Sequence, residues 1–434
     1  MEPTTSTERP APALPADLTV SEIIERQLLR TLFQPIVNLR SNEIVGFEAL
    51  VRGPEGSRFE NPSELFAAGF AAGLELELDW ACTATALRAA LSARVHPTRA
   101  VFINVQPESL TRPTPEWLAE IIAAARRRLT IVLEISERGL TGAPASLLAA
   151  TARLRSQGAL LALDDVGSDP RSLALLPFVD PEVVKLDLDV TQTRAMDLAA
   201  RVAAAVHAHA ERSGARVLAE GIETVEHRDT ALALGADLGQ GWLFGKPQPL
   251  PPEAADPISS PVLVARPLDL RSAETPFKIL SSQLPVRPGT KELLVRMSRL
   301  IESQVLAEDD AVVLVSSFQE AEYFGPATRS RYRKIADQAA LVAALGIGLD
   351  VNPEPGIRGA APWRVEPLRG EWNVCAVGPY FAAAFVALDM GDDGPDKDRR
   401  FDFIMTHDRD LVIAATRALM VRLAEDSSAA EQLG

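Results

Sequence analysis

The chain has 434 residues, of which 47% are hydrophobic, 24% charged and 5% aromatic. That is the profile of a globular protein, long enough for about three domains or for one large barrel and a smaller companion. Its 44 lysines and arginines stand against 59 aspartates and glutamates, a net charge of −15, which excludes general phosphate attraction as a way to hold a nucleic acid polymer and disfavours an anionic membrane surface.

An acidic chain that binds a small anion needs something positive between the two, and a divalent metal is the obvious candidate. Two cysteines far apart, Cys82 and Cys375, cannot build a disulfide framework, so a reducing cytoplasm is expected. His207 and His209 are two apart, on different faces of a helix, which argues against a histidine zinc site. No apolar run reaches the ~18 residues of a membrane span, and no secretory signal is legible.

Residues 1–17 are rich in Thr, Glu, Pro and Ala without a period, and disorder is expected there. Strand-like runs follow at Thr31–Leu39, Ile44–Arg52, Ala100–Gln106, Thr130–Ser136, Leu160–Val166, Val183–Leu188, Val217–Ile222 and Gln240–Phe244. Between most of them lie helical stretches such as Pro115–Arg127, Ala145–Ser156 and Ala195–Arg212. This alternation predicts a parallel α/β barrel of the TIM type over residues 18–250. An open doubly wound sheet would want a Gly-rich phosphate turn after its first strand, and none is present. Prolines crowd residues 251–274 and predict a linker. Residues 275–425 predict a smaller mixed α/β domain, with strands at Ala311–Phe318, Trp372–Val377 and Tyr380–Leu388 and helices at Lys291–Gln304 and Leu411–Leu423; residues 426–434 form a tail.

Polar residues recur where the barrel strands end: Glu48, Asn104, Glu134, the pair Asp164–Asp165, Lys185, Glu220 and Gln240. Barrel strands converge at that face, where (β/α)8 enzymes keep their chemistry. Five carboxylates cannot sit together uncompensated. Oxygen donors without His or Cys suit Mg²⁺ or Mn²⁺, and the set is large enough for two such cations sharing a bridging Asp. Sites of that kind perform in-line phosphoryl displacement, for which one lysine can stabilise developing negative charge.

Eight ordered segments, FQPIV, FEALVRG, FINVQPESL, LEISE, LALDDVG, VVKLD, LAEGIET and GQGWLFGKP, resemble the bacterial EAL domain, a family of cyclic di-GMP phosphodiesterases, over about Leu32–Leu250. The resemblance implies a metal-dependent hydrolase that opens cyclic di-GMP to pGpG, with Glu48, Asn104 and Glu134 on one cation, Asp164 bridging, and Asp165 and Glu220 on the other. It further implies a catalytic Lys185, a Gln240 that positions water, substrate contacts from Gln34 and Arg52, a Glu137 that anchors the loop after the aspartates, and a homodimer through the barrel.

That loop departs from the family pattern: it reads Val166-Gly167-Ser168-Asp169-Pro170-Arg171-Ser172, without the usual aromatic, second glycine and tyrosine. A cyclic di-GMP receptor with weak or no turnover is therefore the alternative expectation. Because buried charges at the site are costly, Glu220→Ala and Lys185→Ala are both expected to leave the fold intact.

Residues 275–425 resemble the DICT domain, a sensory module, through VVLVSSFQ at Val312–Gln319 together with Phe324, Thr328, Arg331, Tyr332 and the Gly346 region. Its signal is not legible. Ser317, Phe318 and Gln319 at a strand end, with Arg331 and Tyr332 on the next helix, could serve a ligand pocket; the alternative makes Phe318 and Tyr332 ordinary core and Arg331 part of a surface ion pair. Trp363 and Trp372 are expected in the core, His227 and His407 at the surface, and Glu75, Glu77 and Asp79 as favourable charges at a helix start.

Overall fold

In the computed structural model, the described residues are 18–136, 144–192, 196–258, 263, 274–308, 311–393 and 395–424. The expected disorder of residues 1–17, the tail, most of the proline-rich linker and Glu137 lie outside them.

Eight strands close into a barrel: β1 Arg30–Asn38, β2 Ile44–Arg52, β3 Ala100–Asn104, β4 Thr130–Ser136, β5 Leu160–Val166, β6 Val183–Leu186, β7 Arg216–Ala219 and β8 Leu238–Gln240. From β2 to β8 all neighbours run parallel. β1 is the exception, antiparallel to both β2 and β8. The reason is local: β1 and β2 are joined by a short turn, and a parallel pair needs a crossover of a dozen or more residues. The expected last strand also shifts, since Gln240 ends β8 and the chain turns at Gly241.

Interior residues follow the two-residue period of a strand. Phe102, Val132, Ala162, Val183, Leu218 and Leu238 fill the barrel. Two positions later on the same strands stand Asn104, Glu134, Asp164, Lys185, Glu220 and Gln240. One helical layer covers the outside, including Glu75–Ser92, Glu116–Arg126, Pro144–Ser156 and Met196–Ser213.

The C-terminal domain is a six-stranded sheet in the order β11-β10-β12-β13-β14-β9, formed by β9 Arg287–Thr290, β10 Val313–Glu320, β11 Leu341–Ile347, β12 Glu371–Val377, β13 Ala382–Asp389 and β14 Arg400–Thr406. Helices Lys291–Ala307 and Pro326–Ala336 contribute to the apolar cluster on one face. Helix Arg409–Met420 packs with Pro276–Ser281 and with β12 and β13. Phe318 and Tyr332 are core, and Phe324 joins them in edge-on and tilted ring contacts. Trp363 is not core: it is 76% exposed at the start of a single helical turn, Pro362–Val365. Arg331 does form its ion pair, 2.7 Å from Glu302, whose carboxylate is buried.

The two domains touch. Arg417 on helix Arg409–Met420 donates to the carbonyls of Pro177 and Phe178 at 3.1 and 3.0 Å. Tyr380 reaches the Arg201 carbonyl at 3.4 Å, and Arg212 lies 3.7 Å from Asp410. A continuous apolar cluster spans the junction.

Candidate functional site

Two local irregularities set the site. In β2 the pairing skips Val45, because Ile36 faces Gly46 while Val37 faces Ile44. This bulge lets Val45 fill the interior and still brings Glu48, an odd number of positions later, to the same inner face. In β5 the register shifts between Leu163 and Val166, and Asp165 takes φ 58°. A left-handed Asp at a bulge re-aims two consecutive carboxylates, so that Asp164, Asp165 and Glu220 bring ligand atoms within 4.8 Å of one another. Gly167 next to them has φ 105°, and a Cβ there would come 2.6 Å from Val190. Gly221, beside Glu220, has φ 63° and no room for a Cβ against Leu188.

Lys185 is fully buried at the centre. Its Nζ lies 2.8 Å from Glu134, 2.9 Å from Asp164, 2.8 Å from Glu220 and 3.9 Å from Glu48. Asn104 donates to Glu48 Oε1 at 2.8 Å, and Gln240 Nε2 donates to Glu48 Oε2 and to Gln34 Oε1, the latter at 3.0 Å. Gln34 in turn donates to the Gly245 carbonyl at 3.1 Å. The sequence-predicted residues thus converge, except for two. Glu137 lies outside the described residues. Arg52 stands at the end of β2, where its guanidinium bonds the Val51 carbonyl at 2.9 Å.

The electrostatics follow from this packing. Burial alone would raise the Glu48 carboxyl, yet the Lys185 charge and the Gln240 and Asn104 donors hold it below the ordinary value. Glu134 is pushed well above it, by burial and then by the neighbouring Glu48 charge. Burial pushes Glu220 up to about 8 despite Lys185. Burial would lower Lys185, but the four carboxylates around it, led by Glu134 and Glu220, carry it well above its usual range. One ammonium therefore answers for several acids.

The donor set fits divalent cations. The buried Glu134 Oε2 and Gln240 Oε1 have no hydrogen-bond partner among the described residues. Oxygen donors with no His or Cys suit hard ions. Glu48, Asn104, Glu134 and Asp164 could hold one cation, and Asp164, Asp165 and Glu220 another.

The sequence reading missed one candidate, Trp242. It stands two residues past the last strand, is 57% exposed, and carries the Lys246 ammonium 4.6 Å from its ring centroid. An aromatic two positions past a site glutamine was the available signal.

The closed barrel thus gathers five carboxylates, three amides and a lysine at one end, an oxygen-rich set of the kind that suits hard cations. The EAL-domain profile matches residues 17–247, more than half of the chain, and the chain belongs to the EAL-domain family. A second profile, described as "Sensory domain in DIguanylate Cyclases and Two-component system" (DICT), matches residues 278–389. The chain is 30% identical over 245 residues to "Cyclic di-GMP phosphodiesterase RocR" of Pseudomonas aeruginosa, covering 54% of this chain and 62% of that protein. It is 28% identical over 238 residues to "Probable cyclic di-GMP phosphodiesterase PdeB" of Escherichia coli K12, covering 53% and 45%. The matches thus span between 45% and 62% of these two relatives. Among solved structures, a manganese/cy-diGMP complex of BlrP1 from Klebsiella pneumoniae is 28% identical, covers 51% of this chain and 56% of that chain, and has a TM-score of 0.46.

Proposed function

We propose that the barrel hydrolyses cyclic di-GMP to linear pGpG. The observation that carries the reading is the cluster of Glu48, Glu134, Asp164, Asp165 and Glu220 around Lys185, together with the phosphodiesterase relatives. In the reaction, water oxygen joins one phosphorus and the bond from that phosphorus to a ribose 3′ oxygen breaks. Two divalent cations, Mg²⁺ or Mn²⁺, held by the two ligand groups above, would supply acidified water and neutralise phosphate charge.

The chain's own residues do the rest. The hydrogen-bond chain Gly245–Gln34–Gln240–Glu48 fixes the Glu48 carboxylate in one orientation, and Asn104 holds its other oxygen. Lys185 offers a fixed positive charge to the oxygens of the phosphorus under attack, in a site where burial strengthens it. Arg52, close to Glu48 but not committed to an ion pair with it, is free to meet a substrate phosphate. The exposed Trp242 offers a guanine a stacking face.

The reading includes regulation by the C-terminal domain. Its support is the grip of Arg417 on the carbonyls of Pro177 and Phe178. These belong to the short helix Leu176–Val179, which closes the segment between Asp165 and Lys185. A change in the sensory domain that moved helix Arg409–Met420 would pull on the connection between those two site residues.

The altered loop supports the receptor alternative: Asp169 and Arg171 pair with each other at 2.8 Å, tying the loop locally. A homodimer through the barrel rests on the family resemblance, and a monomer mass by light scattering would dispose of it. Turnover is tested with cyclic di-GMP and Mn²⁺. Release of pGpG supports the enzyme, and saturable binding without product supports the receptor.

A further inference from the structure

Outside the barrel wall, between helices Glu116–Arg126 and Pro144–Ser156, lies a cavity of about 800 Å³. Its floor includes Ile103 and Leu133, residues on the outer faces of β3 and β4. Leu118, Ile122 and Ala123 line it from one face of helix Glu116–Arg126, so that the apolar side of this helix looks into space where it would ordinarily press on strands. Protein interiors hold few voids larger than a water molecule, whereas ligand pockets of ≈ 300–1,000 Å³ are apolar with a few placed polar groups.

The polar groups here are at opposite ends. Asp79 and Ser109 stand near the end of the site face, since Asp79 Oδ1 accepts from the Gln106 N–H at 3.2 Å. Both are more than nine-tenths buried. The second Asp79 oxygen and the Ser109 hydroxyl have no hydrogen-bond partner among the described residues. Burial pushes the Asp79 carboxyl up to about 6, against the nearby Ser109 and Gln106, and the Glu108 charge adds to the push. The other end is positive, with Arg126 bonded to Gln157 at 2.8 Å. One oxygen of the Asp79 carboxylate faces the apolar chamber at one end, where Arg153 is tied to the Leu110 carbonyl at 2.7 Å, and Arg126 stands at the other end.

We propose that this cavity binds an aliphatic amine, its chain along the leucine and isoleucine wall and its ammonium on Asp79 and Ser109. An ammonium finds a carboxylate acceptor at Asp79 and a repelling cation at Arg126, and the Arg153 guanidinium is already engaged with the Leu110 carbonyl. A carboxylate head would meet the Asp79 carboxylate instead. The site is separate from the residues assigned to phosphodiester hydrolysis, so it stands or falls independently of that activity.

The test is titration calorimetry of the full chain with dodecylamine, 1-dodecanol and dodecanoate, each below its micelle concentration. Saturable binding of dodecylamine is expected, with Asp79→Asn weakening it at least about tenfold, the scale of a charge-assisted hydrogen bond. Ala123→Trp, which fills the cavity from a partly solvent-facing position, is expected to abolish it. No saturable dodecylamine binding would overturn the proposal. So would undiminished binding in Ala123→Trp, or dodecanoate binding as tightly as dodecylamine. If Asp79→Asn fails to fold, the Ala123→Trp and head-group comparisons still decide.

Discussion

Replacing Lys185 by methionine isolates what its charge does. The ammonium is fully buried and lies within 2.8–2.9 Å of Glu134, Asp164 and Glu220. Methionine keeps most of the stem's volume, so the packing loss is small. The electrostatic loss is not: stripping one partner from a buried ionic cluster leaves uncompensated charge and costs about 3–5 kcal/mol. For a domain of this size a kilocalorie corresponds to about 2–4 °C in Tm, so the metal-free barrel is expected to melt about 6–20 °C lower. Divalent cations would take over the compensation, so the deficit is expected to shrink in excess Mn²⁺. Thermal unfolding followed by circular dichroism, in EDTA and in Mn²⁺, reads both effects. A variant melting within ~2 °C of the parent in EDTA, or one with the same deficit in both buffers, would refute the reasoning. The predicted deficit would run against the expectation that Lys185→Ala is structurally neutral, which does not reckon with a lysine ammonium within 2.9 Å of three carboxylates.

Glu220 should behave in the opposite sense. Its folded pKa is raised from 4.5 to about 8, so the stability linked to its protonated form is full below 4.5 and lost as pH rises through about 8. In EDTA, Glu220→Gln should flatten the decline in Tm across that window while abolishing turnover; a parallel decline in both proteins would contradict this. Trp242→Ala should raise KM for cyclic di-GMP with little change in kcat, by about 5- to 150-fold for a lost stacking contact of ~1–3 kcal/mol. An unchanged KM would remove Trp242 from the site. Arg417→Ala should speed amide hydrogen exchange in Leu176–Val179 without lowering the Tm of the barrel core, and unchanged exchange there would argue against that route of control.

Much of the site was legible because a strand repeats every two residues. Once Phe102, Val132, Ala162 and Val183 are read as interior, Asn104, Glu134, Asp164 and Lys185 must stand one rung above them. The bulge at Val45 and the left-handed Asp165 were not legible, because each is a single-residue departure from an otherwise regular strand. Asp79 was misplaced for a related reason. It shares the first turns of its helix with Glu75 and Glu77, but faces inward, where Gln106 claims it. In the C-terminal domain β9 reads Arg-Pro-Gly-Thr, a turn composition, and becomes a strand only because β14 pairs with it. Trp363 is expected in the core, but the single helical turn Pro362–Val365 leaves it in solvent.

The proposed hydrolysis at the barrel mouth depends on its carboxylates, and product analysis tests this. The full chain is incubated with cyclic di-GMP and Mn²⁺ beside a Glu48→Ala control, and nucleotides are resolved by chromatography. Accumulation of pGpG by the parent protein and none by the control is expected. Equal, background-level pGpG from both would contradict it.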